Sequence, residues 1–297
     1  MEPPGINFKK TFTRTRIAPT PSGYLHVGNI LSFAITAAIA EQWGARIFLR
    51  IDDRDRDRMD QRHLEDIFET LTFLAIPWHE GPHSIDEHLG IYSQQTRLGL
   101  YNAALQQLRE DGQVFACTCP RSRLTNTNGE GYSGICRNKN IPLDTPDACW
   151  RLYADAEHVA VKTLDKDVEE VLPAEMRDLV VRKKDGSATY QLTSVVDDIH
   201  FGIDLVVRGE DLWASTVAQH MLAKRLRKPE FDMITFHHHP LMLDGEGKKM
   251  SKSAGSTSVH HLRAAGYSAE GIYTLIAQWL GHSGRASNWS ELAELVM

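Results

Sequence analysis

Arg16-Ile-Ala-Pro-Thr-Pro-Ser-Gly-Tyr-Leu-His26-Val-Gly28-Asn29 passes from a short strand, through two prolines, into a small-residue turn. It then feeds the long apolar run Ile30 to Trp43. A strand, a tight Gly-containing turn and a helix point backbone N–H groups at a bound phosphate. Pro19 and Pro21 hold the entering chain extended, because each disfavours helix at the residue before it. Gly28 lets a ligand approach the backbone, and His26 places a neutral donor beside it.

Outward from this stretch, Arg14 to Ala18 reads as the first strand and Asn29 to Trp43 as a helix stopped by Gly44. Arg46 to Ile51 is a second strand, apolar enough to be buried, and it runs into Asp52-Asp53-Arg54-Asp55. The alternating Asp/Arg run from Asp52 to Asp60 is self-neutralising and reads as a solvated loop. Asp52 differs, because it ends a buried strand near the proposed site. Leu64, Ile67, Phe68, Leu71 and Leu74 recur at helical spacing and predict a helix over Gln61 to Ala75; Tyr92 to Glu110 repeats the pattern. Strands alternating with helices imply an α/β fold with a parallel sheet.

The pattern then changes. Cys117 to Asp147 is rich in Asn, Gly, Thr and Pro and carries three of the four cysteines, so it reads as an irregular insertion. Strand-like pieces such as Leu179 to Lys183 suggest a small α+β insertion over Arg151 to Gln191. The α/β pattern resumes with a strand at Ile203 to Arg208, a helix through Leu226 and a strand at Met233 to Phe236. Two short helices, Ala269 to Leu280 and Glu291 to Val296, close the chain. The expected division is a polar leader (1–13), two halves of one catalytic domain (14–116 and 191–256), an insertion with a metal loop (117–190) and a short helical segment (257–297).

At 297 residues the chain has ample core for one large or two modest domains. Its formal charge of −6 offers no global positive field for nucleic acid. An RNA contact would need a local patch such as Lys224, Arg225, Arg227 and Lys228, which also suits a solvated helix end. The leader Met1 to Phe12 has no apolar core and no run approaches membrane-spanning length, so a cytoplasmic protein without a membrane partner is expected. Four cysteines in so long a chain do not suggest a disulfide framework; closely spaced ones more often bind metal.

A second stretch, Gly247-Lys248-Lys249-Met250-Ser251-Lys252-Ser253, lies in a Gly/Ser-rich loop whose lysines serve no apolar face. Together the two resemble the paired signatures of class I aminoacyl-tRNA synthetases: His-x-Gly-Asn for the usual His-Ile-Gly-His, and an intact Lys-Met-Ser-Lys-Ser. The context Arg-x-Ala-Pro-x-Pro-Ser-Gly-x-Leu-His-x-Gly is similar to the glutamyl branch, over roughly residues 14 to 282. The resemblance implies a Rossmann-like nucleotide-binding catalytic domain in which an amino-acid carboxylate attacks the α-phosphate of ATP. Such a site mainly holds the reactants in line and stabilises charge on phosphate oxygens. His26, Gly28 and Asn29 suit the nucleotide. Lys252, with Lys249 in support, suits the leaving pyrophosphate as a flexible point charge. Mg²⁺ is expected with the ATP, although no dedicated ligand set is visible. Asn29 replaces the second histidine and still offers a neutral hydrogen bond.

By the same resemblance Arg16, Ala18, Thr20, Asp52, Tyr190 and Arg208 fall on the amino-acid positions. Asp52 would meet the α-amino group. The glutamyl branch usually has Glu here; Asp52 and Tyr24 are similar to the glutaminyl branch. Arg208 favours L-glutamate, because a guanidinium forks onto a carboxylate and leaves donors unmatched against an amide. Taken alone, Arg208 would better suit a surface ion pair with Glu210 or Asp211.

Cys117-x-Cys119 and Tyr132-x-x-x-Cys136 supply three thiolates for a tetrahedral zinc. No histidine stands near the loop as a fourth ligand. Tyr132 is one candidate, since short glutamyl-queuosine synthetases place a tyrosine there; on chemistry alone a water is comparable. Cys149 lies outside the pattern and reads as structural. A zinc here would organise the loop without catalysing. Roughly 44 residues follow Ser253, too few for a further domain of ordinary size. With the Cys-x-Cys…Tyr-x-x-x-Cys pattern, this makes the chain similar to the glutamyl-queuosine tRNA(Asp) synthetases. Those enzymes esterify glutamate to queuosine in the anticodon loop of tRNA(Asp). A truncated charger of a tRNA 3′ end and a non-catalytic tRNA-binding paralogue are the alternatives.

Overall fold

A computed structural model describes residues 11–54, 60–120, 131–242 and 258–297. The elements run β1 (Arg14–Ile17), α1 (Val27–Trp43), β2 (Arg46–Leu49), α2 (Gln61–Phe73) and a single turn α3 (Ile85–Glu87). A π turn (His88–Tyr92) and a 3-10 turn (Gln94–Arg97) precede α4 (Leu98–Glu110). Then come β3 (Val114–Cys117), β4 (Cys149–Leu152), β5 (His158–Lys162), β6 (Asp167–Val171), β7 (Val180–Arg182) and α5 (Tyr190–His200). The chain continues through β8 (Leu205–Gly209), α6 (Trp213–Arg225), β9 (Thr235–His239), α7 (Val259–Ala264), α8 (Ala269–Trp279) and α9 (Trp289–Val296).

These elements divide into two compact units, one of residues 1–96, 204–209 and 239–297, the other of 97–203 and 210–238. In the first unit β1 lies between β2 and β8, parallel to both. Asp204 sets the start of the β1–β8 pair, its two carboxylate oxygens accepting the N–H groups of Thr13 and Arg14 at 2.7 and 2.9 Å. Helix α1 is apolar nearly all round and correspondingly buried, with Ile30, Leu31, Phe33, Ala34, Ile35, Ala37 and Ile39 inside. It packs on β1 and β8, and α9 covers another of its flanks. Gly44 ends it at φ 78°, in the left-handed region that a side chain would disfavour.

In the second unit β3, β4 and β7 form an antiparallel sheet, β5 and β6 a separate hairpin, and α5 packs against α4 and α6. Arg97 and Tyr101 both donate to the fully buried Asp197, at 2.9 and 2.7 Å from its Oδ1.

The α/β class with a parallel sheet matches the sequence reading, and so do α1, α2 and α8 to within two residues. Other elements differ. The helix expected over Tyr92 to Glu110 starts only at Leu98. Upstream, Ser93 and Gln94 bind the carboxylate of Asp53, which bends the chain into non-α turns. The strand expected at Met233 to Phe236 begins at Thr235, because Pro229 initiates a 3-10 turn that runs to Met233. The last helix starts at Trp289, two residues early, capped by the Asn288 side chain on the N–H of Glu291. Helices α5 and α7 are new. No helix among the described residues is long and apolar enough to cross a membrane.

Candidate functional site

The first unit gathers its chemistry at the carboxyl ends of β1, β2 and β8, where open parallel sheets bind ligands. Parallel pairing continues past the strands: the Arg50 N–H meets the Ile17 carbonyl at 3.0 Å and the Asp52 N–H meets Pro19 at 2.9 Å. Ala18, Thr20 and Asp52 therefore lie on adjacent strand exits. Arg16 on β1 is 5% exposed and its Nη1 donates to the Val207 carbonyl at 3.2 Å. Arg208 near the end of β8 is 4% exposed, so a surface ion pair is the wrong description of it. Two buried guanidinium groups thus stand on the strands that flank the sheet's centre.

Asp52 is 9% exposed and is gripped by a residue that the sequence reading missed. Arg50, 2% exposed, donates through Nε and Nη2 to the two Asp52 oxygens at 2.7 and 3.1 Å. The signal was available, since residues two apart on an extended chain share a face. A carboxylate has about four lone-pair directions, so Asp52 can accept an ammonium as well. Behind it lies a second missed cluster. The buried Asp53 accepts from Ser93 Oγ at 2.6 Å and the Gln94 N–H at 2.7 Å, and lies 3.0 Å from His88 Nε2. Burial alone would raise the Asp53 carboxyl, but His88, Ser93 and Gln94 outweigh it and hold it below the usual carboxylate range. No local pattern links residue 53 to 88 and 93.

At the head of α1, His26 is the N-cap: its Nδ1 accepts the Gly28 N–H at 3.1 Å, while Asn29 Oδ1 accepts the His26 N–H at 3.1 Å. This reciprocal box places the ring proton of a neutral His26 on Nε2. A Cβ at residue 28 would stand 2.9 Å from His26 Cε1, so the glycine makes room for the imidazole itself. His26 also bridges to Ser258, and the Val259 N–H meets the Leu25 carbonyl at 2.8 Å. Lys249 and Lys252 lie outside the described residues. Tyr190 is the first residue of α5 in the second unit and is 42% exposed.

The second unit holds the cysteines. Pairing of β3 with β4 sets Cys117 opposite Cys149 and Phe115 opposite Arg151. The thiol sulfurs of Cys117, Cys119 and Cys136 all lie within 4.8 Å of one another, a donor set that fits a thiophilic ion such as zinc. Tyr132 OH sits 3.4 Å from Cys117 Sγ and accepts the Cys136 N–H at 2.8 Å. Burial raises the Cys117 thiol, but Tyr132, the Cys119 N–H and Arg151 bring it down to about 7. Cys119 goes the other way, to about 11, through burial and its two cysteine neighbours. Cys149 stands apart and donates to the Cys117 carbonyl at 3.3 Å. The basic patch at the end of α6 is largely engaged: Lys224 and Arg225 pair with Glu157, and Arg227 with Asp111.

Comparison with known proteins agrees with this architecture. The catalytic domain of the class I tRNA synthetases (E and Q) matches residues 13–288. The chain is 33% identical over 281 residues to glutamate–tRNA ligase 2 of Halorhodospira halophila, covering 90% of this chain and 57% of that one. It is 30% identical over 292 residues to glutamate–tRNA ligase 1 of Nitrosococcus oceani, covering 95% and 60%. Its fold resembles the glutamate–tRNA synthetase of Elizabethkingia anophelis, with a TM-score of 0.71, 23% identity and coverage of 90% and 61%. The chain thus spans about three fifths of the length of these relatives. It belongs to the class I tRNA synthetase family of the E and Q type, as represented by that family's catalytic domain.

Proposed function

We propose that the chain activates L-glutamate with ATP and transfers it to queuosine in the anticodon loop of tRNA(Asp). In the first step a glutamate carboxylate oxygen bonds to the α-phosphorus of ATP and the bond to the β-phosphate oxygen breaks, releasing pyrophosphate. In the second a queuosine hydroxyl attacks the glutamyl carbonyl, loses its proton and displaces AMP, leaving an ester.

The pair of buried guanidinium groups, Arg16 and Arg208, carries the choice of glutamate. An amide would leave their donors unmatched, which costs more than a lost attraction. Asp52 takes the α-amino group, with Ala18 and Thr20 lining the pocket; the resemblance assigns Tyr190 to glutamate as well. His26, Gly28 and Asn29 hold the nucleotide at the head of α1, where the helix dipole favours phosphate. Lys249 and Lys252 attend the pyrophosphate, and Mg²⁺ accompanies the ATP. Cys117, Cys119, Cys136 and Tyr132 hold one zinc ion that orders the insertion over residues 117–190.

The tyrosine beside three thiols supports the queuosine branch of this reading. The relatives' names, glutamate–tRNA ligase, also fit a second reading, in which the amino acid goes to a tRNA 3′ end. Transfer of labelled glutamate to bulk tRNA from queuosine-containing and queuosine-free cells separates them. Label confined to queuosine-containing tRNA is the expected result. Equal label on both overturns the modification reading in favour of 3′ charging, and no label on either refutes both transfer readings.

A further inference from the structure

Arg151 is 5% exposed on the central strand of the β3–β4–β7 sheet. Burying a guanidinium so deeply is costly unless an opposite charge compensates it. The obvious carboxylate, Asp178, does not serve: it gives Arg151 only its backbone carbonyl, at 2.8 Å from Nη1. The Asp178 side chain is bound instead by Arg137 and by the Ala154 N–H. Arg151 Nε has no hydrogen-bond partner among the described residues, and no carboxylate there forms an ion pair with it. What faces it is the metal loop. Its guanidinium carbon lies 3.7 Å above the centre of the Tyr132 ring. Strand register puts Arg151 opposite Phe115, and Cys117, two residues on, shares that face.

Three thiolates around a divalent cation leave an excess negative charge in a buried loop. We propose that Arg151 is the buried counter-charge of the Cys117–Cys119–Cys136 metal site and that, by stacking on Tyr132, it fixes that ring with its hydroxyl against the sulfurs. It is a positioning residue: it touches no substrate and ligates nothing. The inference rests on the metal reading above and adds to it a partner that ligand spacing does not reveal. Loss of such an outer partner typically costs about 10–100-fold in metal affinity.

The test uses the full chain, with zinc affinity measured by chelator competition and absorption recorded after cobalt substitution. Wild type should hold about one zinc per chain. Arg151→Gln should bind zinc about 10–100-fold more weakly, and its sulfur-to-cobalt charge-transfer band should move to longer wavelength as the thiolates become more electron-rich. Arg151→Lys, which keeps the charge, should restore the band and most of the affinity, and serves as the test should the glutamine variant fail to fold. Wild-type affinity and band position in Arg151→Gln overturn the role of Arg151 while leaving the metal site intact. So does a lysine variant with zinc affinity reduced to the 10–100-fold range and a shifted band. A wild-type chain that takes up no zinc overturns the metal reading itself.

Discussion

Replacing Asp52 with alanine should be among the more damaging single changes in the first unit. The substitution removes the acceptor of two charge-assisted hydrogen bonds from Arg50 and leaves that guanidinium, 2% exposed, without its carboxylate. Breaking a buried pair in this way costs about 3–5 kcal/mol, against a total stability of about 5–15 kcal/mol for a typical domain. With a urea dependence of about 3 kcal/mol per molar, the unfolding midpoint should fall by roughly 1–1.7 M. The double variant Arg50→Met/Asp52→Leu removes both charges and should recover most of that loss, because hydrophobic replacement of a buried pair is often close to neutral. Only function should then separate it from wild type: glutamate-dependent ATP–pyrophosphate exchange should stay absent from the restored double variant. Urea unfolding of the three proteins checks the energetics. A midpoint for Asp52→Ala within ~0.3 M of wild type would falsify the claim that the pair is buried and coupled, and so would a double variant as unstable as the single one.

Three further outcomes concern this site and the cysteine cluster. Arg208→Ala should lower glutamate-dependent exchange by ~10³-fold or more, the scale on which a built polar pocket discriminates; unchanged exchange would remove it from the pocket. Asp53→Asn should cost about 2–3 kcal/mol near neutral pH, as a charged acceptor of several hydrogen bonds is lost. Because the folded state holds the Asp53 carboxyl low, its stabilisation is complete above the ordinary aspartate range and is lost as pH falls through the depressed value. Wild-type and variant stabilities measured from pH 7 downward should therefore converge, and a constant gap speaks against the cluster. In metal-stripped protein, ultraviolet thiolate absorbance should start to rise at about pH 7, with Cys117, well before the step at about pH 11 from Cys119, and Cys117→Ser should remove the first step. An unchanged first step in that variant would contradict the asymmetry.

Much of the first unit was readable in order along the chain. The apolar helix α1 follows from the run Ile30 to Trp43, β1 from the short extended stretch that stops before Pro19, and β2 from the apolar Ile47-Phe48-Leu49 after Gly44. The Cys-x-Cys and Tyr-x-x-x-Cys spacing foretold a cluster that the fold does assemble. What escaped was set by distant partners. Tyr92 to Glu110 carries helical spacing throughout, yet Asp53, some 40 residues upstream, captures Ser93 and Gln94 and delays the helix. Helix α5 escaped because only two of its buried residues, Leu192 and Val195, are apolar and its Asp197 points inward to Arg97. The partners of Asp52 and Asp53 divide along the same line: Arg50 is local and was legible in principle, whereas His88 comes from another turn.

The order in which strands are joined has a consequence for synthesis. Arg16 on β1 waits for the Val207 carbonyl, 191 residues later, to complete its contact. At about 5–20 residues per second a ribosome needs roughly 10–40 s to make the intervening chain. Throughout that interval β1, α1 and β2 exist without the third strand and without α9, so the apolar flank of α1 stays open to water or to a chaperone. Meanwhile β3, β4 and β7, close neighbours along the chain, already have their partners. A released chain truncated just before residue 204 should thus lose its leading portion to protease faster than the β3–β4–β7 segment that follows it, the reverse of simple N-to-C maturation.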